Sequence, residues 1–160
     1  MKPASKAQTW KLFTLTKKDY RNELLSYEEA DKLIQDALKE KDNKLQEFQT
    51  IIDKAKSAGL KAVKELKVIP MTVVSHQTGK EYFVEDGLCG FAWVNLYPAT
   101  SSFARWLKKE GIGKKGYPSG LSIWVDDFNQ SLQKKETYAR AYAEVLRDYG
   151  YKAYSSSRMD

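Results

Sequence analysis

Cysteine and histidine are almost missing from this chain, with Cys89 and His76 the only examples in 160 residues. One cysteine makes neither an internal disulfide nor a Cys-based zinc cluster. One histidine excludes Ser-His-Asp and Cys-His catalysis unless His76 itself serves. Proline is scarce, at four residues, and no stretch approaches the ~18–20 uncharged apolar residues that a membrane span requires. The first ten residues lack the apolar run of a signal peptide. A soluble, intracellular protein without a membrane partner is therefore expected.

What is present suits a folded chain. Apolar residues make up 42% and aromatics 12%, enough for a core and too hydrophobic for a disordered tail. Five aromatics precede Pro70 and fifteen follow it, so two regions are expected, residues 1–69 and 70–160. The net charge of +6 points to anionic partners only if its placement agrees.

The first region reads as helical. Ser26 and Glu29 have the S-x-x-E spacing in which each side chain satisfies a backbone N–H of the first turn, and Thr16 with Asp19 suggests a weaker start. Apolar or small residues follow at Ala30, Ile34, Ala37, Leu45, Phe48, Ile52, Ala55, Gly59, Ala62 and Leu66, a helical period with one step missing at Lys41. Unbroken, a helix over 27–67 would be about 60 Å long at 1.5 Å per residue. Either the polar run Lys39 to Lys44 turns at Asp42-Asn43 to make a helical hairpin, or the helix is continuous and pairs as a coiled coil, giving a homo-oligomer. The hairpin is the favoured expectation.

The second region mixes strands and helices. Met71 to Ser75 and Glu81 to Val84, separated by a segment with Gly79, read as a β-hairpin. Gly90 to Tyr97 is apolar at nearly every position and reads as a central strand buried on both faces. Ser101 or Ser102 starts a helix that Gly111 ends. Leu121 to Val125 is a strand, Gln130 to Tyr149 a helix started by Asp127 or Asn129, and Tyr151 to Ser155 a last strand. The expected class is α+β: an N-terminal helical hairpin or coiled coil, then a small mixed αβ domain with a hairpin followed by β-α-β-α-β.

Charge concentrates in one place. Arg105, Lys108, Lys109, Lys114 and Lys115 face only Glu110 within eleven residues, among Gly111, Gly113 and Gly116. Such glycines could let backbone N–H groups approach a phosphate, although Gly-Ile-Gly-Lys-Lys-Gly does not fit the phosphate-loop template of nucleotide hydrolases. Tyr117 and Trp124 are candidate stacking residues, while Trp93 is expected in the core. Asp126 and Asp127, at a strand's end, are weak candidates for a divalent metal or a general base. Cys89 is expected as a buried thiol, and His76 as an exposed turn residue. No catalytic residue and no cofactor are assigned.

The blocks Cys89-Gly90-Phe91-Ala92-Trp93-Val94, Ile123-Trp124-Val125, Gln130-Ser131, Tyr138-Ala139 with Ala141 and Ala143, and Ser157-Arg158-Met159-Asp160 carry a resemblance. They are similar to a functionally uncharacterised family of small bacteriophage-encoded proteins, over about residues 87–160. The resemblance implies a phage-encoded protein acting in the cytoplasm of an infected bacterium. With the basic segment it leads to a ranked expectation. First stands a non-enzymatic accessory protein binding nucleic acid or a nucleotide, second an inhibitor of a host enzyme or defence complex, and third a metal-assisted enzyme.

Overall fold

The computed structural model describes all residues, 1–160, and the chain is of the mixed α+β class. It forms two compact units, Met1–Gln49 and Thr50–Asp160. The boundary falls inside one helix.

Unit one begins with α1 (Lys6–Thr16), started by a capping box: the Ser5 hydroxyl accepts the Gln8 backbone N–H, and the Gln8 side chain accepts the N–H of Ser5. Lys17, left-handed at φ 62°, ends it. The expected start at Thr16 is thus a helix end. Leu12 of α1, Tyr20, and Ala30 and Ile34 of the next helix form a buried cluster, with Leu15, Leu25 and Leu33 packed around it.

That next helix, α2, runs without interruption over Tyr27–Glu65, which corrects the expected hairpin. Its start agrees with the sequence: the Glu29 carboxylate accepts the Ser26 N–H, and the Ser26 hydroxyl accepts the Glu29 N–H. The run Lys39 to Lys44 stays helical because it contains neither Gly nor Pro, and Lys and Glu are good helix formers. Asp42 and Asn43 are exposed on the helix surface.

Unit two contains β1 (Met71–Val74) and β2 (Glu81–Val84), an antiparallel hairpin, with His76 exposed in its turn. Then follow β3 (Gly90–Tyr97), α3 (Ser102–Lys109), β4 (Lys114–Lys115), β5 (Leu121–Trp124), α4 (Leu132–Asp148) and β6 (Lys152–Met159). The last four strands make one antiparallel sheet in the order β4-β5-β3-β6. The two residues of β4 lie in what reads from sequence as a loop, and β6 extends four residues beyond Ser155.

α3 is capped by Ser101, whose hydroxyl accepts the Ala104 N–H, and Gly111 follows its end at φ 75°. α4 is capped by Ser131 and not by Asp127 or Asn129: the Ser131 N–H donates to the Phe128 carbonyl, which leaves Asn129 inside the turn that precedes the helix and Asp127 ahead of it. The Ser131 hydroxyl also donates to the Asp86 carbonyl at 3.0 Å, and the Asp86 carboxylate pairs with Lys134 at 2.7 Å. The base of the hairpin is fixed to the same helix, since Gln133 accepts the Ile69 N–H and donates to the Ile69 carbonyl. The stripe Leu132, Ala139, Tyr142, Ala143 and Leu146 buries one face of α4. This helix packs on β3 and β6.

Candidate nucleic-acid interface

In β3 buried and half-buried residues alternate strictly. Ala92, Val94 and Leu96 point toward the helices; Phe91, Trp93, Asn95 and Tyr97 point away. The expectation of a strand buried equally on both faces, and of Trp93 as a core residue, is corrected by this alternation. An apolar run with aromatics at every second position builds a core on one side and a half-exposed aromatic surface on the other. Sequence alone does not separate the two.

Antiparallel register shows what else lies on the second face, because directly opposed residues share a side of the sheet. Lys114, Ser122, Asn95 and Tyr154 form one row across the four strands. Trp124, Trp93 and Ser156 form the next, Phe91 stands opposite Arg158, and Tyr97 opposite Lys152. The face therefore carries aromatics on the central strands and cations on both edges, Lys114 on β4 and Lys152 and Arg158 on β6. No acidic residue belongs to these rows.

The aromatics form a connected group. The rings of Trp93 and Trp124 stack at 4.8 Å with 24° between planes, and Phe91 meets Trp124 edge-on at 6.2 Å. The Trp93 indole N–H donates to the Asn95 side chain at 3.2 Å, and the Asn95 amide donates to Ser156 at 2.7 Å, which holds the first indole in place. Trp124 is 42% exposed and Tyr154 49%. Two cations lie over the Phe91 ring, the Arg158 guanidinium at 5.3 Å and the Lys135 ammonium at 5.6 Å. Lys135 buries its stem in α4 and presents its head to this ring. Neither cation is in an ion pair.

The residues singled out from sequence are placed differently from one another. Trp124 lies on the aromatic face as a half-exposed ring, and Tyr117 is fully exposed in the turn between β4 and β5. Lys114 joins the aromatic face, whereas Lys115, its neighbour in the strand, points the other way. Arg105, Lys108 and Lys109 are exposed on α3, where the two lysines sit in the last turn and complement the helix dipole. The glycine segment is no phosphate cradle. It follows the negative end of α3, and the N–H groups of Gly111, Ile112 and Gly116 donate to Lys108, Leu107 and Gly120 carbonyls. Lys135 reads from sequence as part of an ordinary helix exterior with Lys134, Arg140 and Arg147, which its burial corrects, and Lys152 and Arg158 are not singled out there. The register of β6 against β3 is the signal that gathers the latter two, and it exists only once the strands are paired.

Asp126 and Asp127 are exposed just after β5, and no third His, Cys, Asp or Glu joins them in a cluster able to hold a metal. Cys89 is exposed, which corrects its expected burial: its backbone bridges to Ser131 at the sheet's end while its side chain faces outward. No helix is long and apolar enough to cross a membrane. Comparison with protein-family models, with curated proteins and with solved structures finds no match.

Proposed function

We propose that this protein is a non-enzymatic binding module that holds single-stranded nucleic acid against the open face of its four-stranded sheet. The observation that carries the reading is the stacked Trp93–Trp124 pair on the central strands with cations on both edge strands. Every base has a π-face, and each base stacked on an aromatic side chain contributes roughly 1–3 kcal/mol whatever its identity. The edge cations suit a backbone crossing the sheet, and at the Phe91 ring Arg158 is joined by one further positive group, the buried Lys135. In the setting that the phage resemblance implies, the module acts in the cytoplasm of an infected bacterium.

Anisotropy of a fluorescein-labelled oligothymidylate tests it. With Lys114, Lys152 and Arg158 each neutralising one phosphate, the log–log salt slope is about −2, so affinity falls roughly twentyfold between 50 and 200 mM salt. Trp124→Ala weakens binding by roughly 1–3 kcal/mol. Binding that is indifferent to both salt and Trp124 contradicts the reading.

A second reading, contact with a host protein, is favoured by the β1–β2 hairpin. Both of its faces are exposed, including Val73, Val74, Tyr82 and Phe83, the last at 70%. Such an apolar two-stranded ribbon suits a protein partner. A Val73→Ser/Phe83→Ser variant separates the readings: it abolishes partner capture and leaves oligonucleotide binding intact if the hairpin serves a protein, and has no effect on capture if it does not.

A further inference from the structure

The first unit has a cavity of its own. Its volume is about 760 Å³, within the range of small-molecule sites, and every residue lining it falls between Pro3 and Leu25. No residue of the sheet face takes part. The apolar lining comes from two stretches: Trp10 and Phe13 on α1, three positions apart with their rings at 5.8 Å, and Tyr20, Leu24 and Leu25 from the segment between α1 and α2. Tyr20 belongs to the buried cluster of this unit and ties the lining to it.

The rest of the apolar lining is open to water. Trp10 is 69% exposed, Phe13 is exposed and Leu24 is fully so. Hydrophobic residues scattered singly over a surface are ordinary, but these three share one concave site. An apolar body entering it removes all three from water at once.

Charge at the site has a sign. The Arg21 guanidinium meets both oxygens of Asp19, the closest approach being 2.7 Å, and these hydrogen bonds hold the Asp19 carboxyl down to about 2. Glu23 pairs with Lys18 at 2.9 Å. Of the charged lining residues only Lys6 has no partner. Asp19 and Glu23 are also the only acids in the first 27 residues, against six cations. An amine thus meets carboxylates that are already paired, and an anion meets a free ammonium. The Thr9 hydroxyl is turned back to the Lys6 carbonyl at 3.0 Å, so it is engaged within its own helix.

We infer that this cavity binds a single-chain fatty carboxylate, its acyl chain against Trp10, Phe13 and Leu24 and its carboxylate on Lys6. A ligand polar along its whole length would lose water to walls that return few hydrogen bonds, whereas an acyl chain has no such loss.

Titration of the Trp10 indole N–H resonance with octanoate, decanoate and dodecanoate, all as monomers, tests this, with decylammonium as the same chain bearing the opposite charge. The shifts saturate, and affinity rises with length, by up to about fourfold per methylene at full burial. Decylammonium binds about tenfold more weakly than decanoate, and Lys6→Gln weakens decanoate about fivefold while leaving the length dependence in place. Leu24→Ser weakens decanoate about tenfold. The melting temperature of free Leu24→Ser is unchanged, since that side chain covers nothing in the fold. The Trp93 and Trp124 resonances stay in place throughout. Equal affinity for the three chain lengths, decylammonium bound as tightly as decanoate, or native decanoate affinity in Leu24→Ser overturns the inference. So does flotation with anionic phospholipid vesicles when monomeric decanoate gives no saturable shift, because that result marks a membrane contact and not a ligand cavity.

Discussion

A methyl group added at Gly59 would come within 2.6 Å of the Tyr138 ring. That ring also meets Phe128 at 5.4 Å and Tyr142 at 5.8 Å, so displacing it disturbs two further ring contacts. Alanine improves helix propensity by about 1 kcal/mol, whereas overpacking costs about 1–3 kcal/mol. Gly59→Ala therefore lowers unfolding stability by about 1 kcal/mol in a urea titration; a gain would mean that the Tyr138 ring yields. From sequence, Gly59 reads simply as one more small residue in a helical stripe. Its reason is a contact with a side chain 79 positions later, which periodicity does not encode. Trp93 has the same history: its alternation with Ala92 and Val94 is plain in the sequence, but which of the two faces the helices cover is decided by α4.

At the scale of elements, local signals served well where they were local. The Ser26–Glu29 box, the Gly79 hairpin, the Ser101 cap and Gly111 after α3 all act through neighbours a few residues away. The equivalent Ser5–Gln8 spacing marks α1 just as clearly, although the helix behind it has only a weak apolar stripe. The middle of α2 is the instructive failure, because a polar run predicts an exposed segment and not a broken one. Asn43→Pro, placed where a turn would accept it, costs about 3 kcal/mol or more in a continuous helix and visibly reduces the far-ultraviolet helical signal. A tolerated proline would restore the hairpin. Acid acts on the other end of this helix. Hydrogen bonds from the Ser26 N–H and hydroxyl hold the Glu29 carboxyl below its ordinary range. The folded pKa being depressed, this contribution is present above the unfolded value of about 4.3 and is lost as pH falls through the folded one. Thermal melts below pH 4 show a small loss that Glu29→Gln, already lacking the charge, does not share.

For the molecule as a whole, charge is informative through its position. The net +6 and even the dense segment from Arg105 to Lys115 mislead in part, since α3 and the two faces of β4 scatter those five cations. Pairing of β6 with β3 then gathers Lys152 and Arg158 on the face where Lys114 and the tryptophans lie. The α+β class and most elements were legible in the sequence because propensity and capping are short-range. The candidate interface was legible only in pieces, because strand order and register join residues from four separate segments. The chain's four tryptophans allow the central claim to be tested directly. With an oligothymidylate added at low salt, the indole N–H resonances of Trp93 and Trp124 shift together and saturably, while those of Trp10 and Trp106 stay in place. Shifts confined to Trp10 or Trp106, or none at any indole under conditions where the oligonucleotide is bound, contradict the assignment of the sheet face as the binding surface.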